Sequence, residues 1–114
     1  MIQIDKLNKK IYVHDIIKYI VRESSMNNAV TIQEINEHFK MSLFTLGKFI
    51  RIGIKKGIIK KGFIKHEVYY YSDYRIVFED ENNNKCACGD TITHFKYNNV
   101  YFCDECFDVI INQS

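Results

Sequence analysis

Four cysteines carry the most specific chemistry in this chain, and all of them lie in its last third, within KCACGDTITHFKYNNVYFCDEC. Cys86 and Cys88 form one close pair and Cys103 and Cys106 another, with fourteen residues between Cys88 and Cys103. A tetrahedral zinc–thiolate site needs four sulfurs at its corners, and two close pairs joined by a hairpin can place them there. Gly89, directly after the first pair, lets the backbone curl around an ion. The intervening TITHFKYNNVYF supplies the hairpin, with Asn98-Asn99 as its two-residue turn because Asn tolerates positive φ. After Cys106, FDVIINQ has the pattern of a short helix whose Phe107, Ile110 and Ile111 cover that hairpin.

Other uses of these thiols are weaker. Disulfides need an oxidising compartment, for which nothing else in the sequence speaks. A redox role for Cys103-Asp-Glu-Cys106 is disfavoured because the two acids raise rather than lower a thiol pKa. His94 could replace a cysteine, but with four thiols at hand it reads as a strand residue. Four thiolates leave no open coordination position, so the expected ion is structural. It is also needed: 29 residues bury too little apolar surface alone, and zinc binding can supply about 10–16 kcal/mol. The segment resembles a zinc ribbon or, since its second cysteine pair opens a helix, a treble-clef finger. That resemblance implies one structural Zn²⁺ on Cys86, Cys88, Cys103 and Cys106. The single residue between the first two thiols departs from the usual two.

The remainder must be organised around a core of its own. The chain has 114 residues and a formal net charge of +2, but the charge is divided. Residues 1–78 hold 11 Lys and 3 Arg against 7 acids, whereas residues 79–114 hold 2 Lys against 7 acids. The halves therefore meet different partners, or each other. The break falls at EDENNN, so the expected organisation is a domain over 1–78, a linker over 79–85 and a metal module over 86–114.

MIQIDKLNKKIYV alternates loosely and suggests a small hairpin turning near Asn8. From Val13 the apolar period becomes helical, with Val13, Ile16, Ile17, Ile20 and Val21 on one stripe, to about Ser24. Thr31 and Glu34 form a capping box for a second helix. Ser42 can cap a third, from Leu43 to about Lys56, closed by Gly57. IIKKGFIKHEVYYYS then reads as a β-hairpin, turning at Lys61-Gly62 or near Ile64-Lys65. Gly47 and Gly53 each cost the third helix about 1 kcal/mol relative to alanine.

Between Lys40 and Lys65 lie 7 Lys and 1 Arg with no acid. An ordinary surface helix interleaves Glu with Lys, since such pairs stabilise it; a stripe of one sign calls for an anionic partner. Phe44, Lys48, Arg51 and Lys55 share one face of the third helix. Phe44 is out of place there. Burial against the first helix, by rotation of this register, is the favoured reading, and contact with a thymine methyl or a protein is the alternative.

VTIQEINEHFKMSLFTLGKFIRIGIKKGIIKKGFIKHEVYYYS resembles the winged helix-turn-helix family over Val30–Ser72, with residues 42–56 as recognition helix and KHEVYYYS as the returning wing strand. The implied fold class is α+β. The implied function is a transcriptional regulator gripping duplex DNA. Lys48 and Arg51 would meet groove or phosphate, and Arg51 is the best candidate for a bidentate guanine contact. Thr45 would meet a base edge or phosphate, with Lys55 on the same stripe and Lys60, Lys61 and Lys65 on backbone along the wing. The acidic metal module would contact protein or dock on the basic half, and winged helices of this kind often form homodimers. Two other readings stay open: a phage- or virus-type inhibitor in which both halves bind protein, and RNA or ribosome binding through the same lysines. The Lys/Ile/Asn bias suits an AT-rich genome.

No phosphate-cradling glycine loop, Ser-His-Asp series or paired apolar carboxylates occur, so no enzyme is expected. His14, His38 and His66 are scattered. No apolar run approaches the ~20 residues of a membrane span, and clustered thiols favour a reducing cytoplasm.

Overall fold

The computed structural model describes residues 12–78 and 84–112. The expected N-terminal hairpin about Asn8 and most of the expected linker, 79–83, lie outside the described residues. The fold is α+β, with four helices and two small antiparallel sheets among the described residues.

Helix α1 spans Val13–Ser25, and the Asp15 carboxylate accepts the Tyr12 amide at its start. Its apolar stripe faces the core: Ile16, Ile17, Ile20 and Val21 are fully enclosed and Val13 is partly buried. Helix α2, Ile32–Phe39, opens with the Thr31–Glu34 capping box, in which each residue's side chain accepts the other's amide. It stops at Lys40, whose φ of 57° turns the chain sharply. Helix α3, Leu43–Lys55, is capped by Ser42, whose hydroxyl accepts the Phe44 amide. Gly57, at φ 78°, takes the left-handed position that ends it.

Strands β1 (Ile59–Ile64) and β2 (Glu67–Ser72) form a hairpin in which Ile59 faces Ser72 and Ile64 faces Glu67. The turn is Lys65-His66, one position beyond the nearer of the two expected sites, with φ of 49° and 71°. Both central residues are thus left-handed, as a two-residue turn matching the strand twist requires, although neither is Gly or Asn. Val30 adds one rung to this sheet by exchanging both amide hydrogen bonds with Tyr70.

A second sheet joins the two halves of the sequence. β3 (Arg75–Ile76) pairs with β4 (Phe95–Tyr97), which pairs with β5 (Val100–Phe102). The β4–β5 turn is Asn98-Asn99, both at positive φ as the sequence suggests. Helix α4, Asp104–Asn112, follows and buries Phe107 and Ile111. Phe95, Phe107 and Ile111 belong to one hydrophobic cluster with the α1 and α3 core, and Phe107 stacks on Phe95 with ring centroids 4.1 Å apart.

The C-terminus of α1 clamps this arrangement. Ser24 Oγ accepts the Ser72 amide, and Ser25 Oγ accepts the Ile76 amide, both at 2.9 Å. Ser72 is fully buried; its hydroxyl donates to the Ile58 carbonyl and accepts the Tyr74 amide.

The two glycines of α3 differ. A Cβ on Gly53 would meet the Ile59 side chain, 2.9 Å from Cγ1, and Ile17 Cγ1 at 3.3 Å, so close packing among α1, α3 and β1 requires glycine. A Cβ on Gly47 would meet none of the described residues within 4 Å.

Candidate functional site

The sulfur cluster is built by three local devices. The Cys86 carbonyl accepts the Gly89 amide while the Cys86 amide donates to the Asp90 carbonyl, closing a tight knuckle with Gly89 at φ 100°. That φ favours a residue without Cβ. Asp90 also accepts the Ile92 amide at Oδ1, which fixes the exit of the knuckle. A bridge between Cys86 and Tyr101 lays the knuckle along β5. Cys103 directly follows β5, and Cys106 sits in the first turn of α4, its amide donating to Cys103 Sγ at 3.4 Å.

All four sulfurs lie within 4.8 Å of one another, and Cys88 Sγ is 3.7 Å from Cys103 Sγ. Ligands held about 2.3 Å from a tetrahedral zinc ion stand about 3.8 Å apart. The cluster therefore fits a four-coordinate metal ion. Cys86 and Cys103 are buried while Cys88 is exposed. The electrostatics point the same way. Amides of Cys88 and Cys103 hold the Cys86 thiol down at about 6. Cys106 is pushed up by the sulfurs of Cys86, Cys103 and Cys88. The Asp90 amide lowers Cys88, yet the sulfurs of Cys86 and Cys103, with burial, raise it overall. One thiolate forms readily and opposes the next; a cation at the centre relieves that opposition.

The cationic residues are distributed less simply. At about 100° per residue, Phe44, Lys48, Arg51 and Lys55 fall within about 60° of arc, roughly opposite the buried Leu46, Ile50 and Gly53. Lys48, Arg51, Lys55 and Lys61 line a shallow open groove of about 570 Å³ between α3 and β1, with Ile52 and Ile54 between them. No described carboxylate forms an ion pair with any of these four, nor with Lys65 at the hairpin turn.

Lys60 and Lys61 point to opposite sides of the hairpin, as adjacent strand residues do; Lys61 lines the groove, while Lys60 forms an ion pair with Asp73. One expectation changes. Phe44 is not buried against α1. It is 73% exposed, with Lys48 Nζ 5.5 Å from its ring centroid. Thr45 is half-buried beside the stripe. Phe63 (68% exposed, Lys61 Nζ 6.0 Å from its ring) and Ile64 add apolar surface beyond the groove; the alternation of β1 indicates that Phe63 shares the Lys61 face, a signal present in the sequence.

The halves also meet through charge. Lys18 Nζ of α1 reaches Asp104 Oδ1 at 3.3 Å and Asp108 Oδ1 at 2.9 Å, both on α4. Burial pulls the ammonium pKa down, but contact with Asp108 and the charges of both carboxylates outweigh it, and the net shift is upward. The clamping serines, Ser24 and Ser25, carry no local signal of this role: they are small polar residues, and only the partner strands give them one.

No described helix is long and apolar enough to cross a membrane. Comparison with protein-family models, with curated proteins and with solved structures finds no match for this chain.

Proposed function

We propose that the chain is a winged helix-turn-helix regulator of transcription that binds duplex DNA through α3 and the β1–β2 wing, with one structural zinc held by Cys86, Cys88, Cys103 and Cys106. The observation that carries this reading is the exposed pole of α3, where Lys48, Arg51 and Lys55 stand clear of every described carboxylate. A row of unpaired cations repels itself, and a polyanion relieves that repulsion. The element order supports the same reading: three helices, a hairpin, and the Val30 rung on its second strand.

On this reading α3 enters the major groove, and Lys61 and Lys65 follow the flanking phosphates. Four phosphate contacts give a slope of log affinity against log salt of about −3.5. The zinc ion, when bound, supplies folding energy rather than catalysis, since four thiolates saturate it. It would hold α4 and the β4–β5 hairpin where Asp104 and Asp108 meet Lys18, so part of the acidic module's charge is spent on its own basic half. Four free thiols support a reducing cytoplasm as its working compartment.

Titration of duplex DNA at several salt concentrations tests the reading. Lys48→Glu with Arg51→Glu should abolish binding while leaving the thermal midpoint within a few degrees of wild type. Binding that survives this double change refutes it. One observation favours a second reading. Phe44, Ile52 and Phe63 are exposed near Lys48, Arg51 and Lys61, a combination that also suits an acidic, apolar protein segment. In that case duplex affinity is absent and the two charge reversals abolish capture of the protein instead.

A further inference from the structure

A phosphate grip needs cations alone, yet on and beside the exposed pole of α3 stand two residues that are not cations, exposed Phe44 and half-buried Gly47, for which no described neighbour supplies a packing reason. Phe44 is the first. It is 73% exposed in the first turn of α3 and in line with Lys48, Arg51 and Lys55. The Lys48 ammonium near its ring restrains it. Gly47 is the second. It lies one turn on, at about 60° from Phe44 around the helix axis, where a Cβ would touch none of the described residues. An interior helical glycine costs about 1 kcal/mol relative to alanine. Gly53 has its reason in Ile59 and Ile17; Gly47 has none among the described residues. Bare backbone beside an exposed ring is a place where a partner can approach closely.

We infer that Phe44 and Gly47 together form an apolar notch that receives the 5-methyl group of one thymine, making this the point at which α3 distinguishes T from C in the major groove. The inference rests on the duplex reading above and adds to it the residue pair that reads a base. Thymine is the base that offers an apolar group in the major groove, and aromatic side chains contact it there. The lysines around the notch meet phosphate and carry no such preference.

The probe is a duplex selected from a random library by wild-type protein, together with a series in which each thymine is replaced singly by deoxyuridine, which lacks only the methyl. At one position the replacement should weaken wild-type binding about fourfold, the effect of withdrawing one buried methyl. Phe44→Ala should weaken binding to the thymine duplex and bind both duplexes equally, with the salt slope unchanged. Gly47→Ala should raise the thermal midpoint, because it adds helix propensity in open space, and yet weaken binding. Affinity that is indifferent to every methyl, or discrimination that survives Phe44→Ala, overturns the inference and leaves the duplex reading standing. Absence of any selected duplex overturns the duplex reading, and the inference with it.

Discussion

Removing the metal should damage more than the segment that binds it. Cys103 and Cys106 bracket the first turn of α4, and that helix delivers Phe107 and Ile111, both fully buried, into the cluster shared with α1. Phe95 of β4 lies beneath Phe107 at 6% exposure. Each such side chain contributes about 1.5–3 kcal/mol by burial, so the three together contribute roughly 5–9 kcal/mol, an upper figure because unfolded chains already bury some surface. A domain's whole stability is about 5–15 kcal/mol. Chelation under reducing conditions should therefore free α4 and the β3–β4–β5 sheet, and weaken the C-terminal half of α1, where Ser25 holds the Ile76 amide. Hydrogen exchange followed residue by residue is the assay. Amides of β4 and β5 should lose protection first and those of Ile20 to Ser24 next, while the Thr31–Glu34 cap of α2 should be least affected. Cys106→Ser should reproduce the pattern. Unchanged protection in α1 after complete metal removal would refute the reasoning and make the two halves energetically independent.

Three further changes isolate single contacts. Gly53→Ala gains about 1 kcal/mol of helix propensity but overpacks Ile59 and Ile17 at a cost of about 1–3 kcal/mol; thermal denaturation should show a net loss, opposite in sign to Gly47→Ala. Ser72→Ala leaves the buried Ile58 carbonyl and Tyr74 amide without the hydroxyl that serves both, and urea titration should register a loss of about 1–3 kcal/mol. Lys18→Met leaves Asp104 and Asp108 without their shared cation. Since the Lys18 pKa is raised on folding above 10.5, its contribution is complete below pH 10.5 and disappears as pH rises through the folded value. The variant should be less stable by about 1 kcal/mol at pH 7, the pair being partly exposed, and should converge on wild type in strong alkali; a constant gap across that range would contradict the ion-pair account.

Local signals in the sequence proved sound wherever one short segment fixes the outcome. The Thr31–Glu34 box, the Ser42 cap, the Gly57 terminus and the Asn98-Asn99 turn all depend on side chains within a few positions of the backbone they serve. The four cysteines were legible for a similar reason: two close pairs and a hairpin between them suffice to gather the sulfurs. The sequence leaves the wing turn between two sites because Gly62 is a conventional turn residue; Gly62 instead lies within β1 opposite Tyr69, and the turn falls one position beyond the Ile64-Lys65 alternative. Phe44 was assigned to the interior because large aromatics usually go there, although its own helical register with Lys48 and Arg51 already put it outside. What no window could show were contacts across the chain: Lys18 with Asp104 and Asp108, Ser24 with Ser72, and Arg75–Ile76 with β4. Those decide how the basic and acidic halves are joined.

The β3–β4 rung carries one more implication. Because the strand that ends the basic half is completed by a strand from the acidic half, neither is a portable cassette. A fragment stopping at Ser72 would carry a naked apolar floor where Phe95, Phe107 and Ile111 now rest, and would aggregate. A chain severed between β3 and β4 keeps both complementary surfaces, so two separately made pieces, 1–78 and 84–114, should recognise each other in a test tube and rebuild the whole.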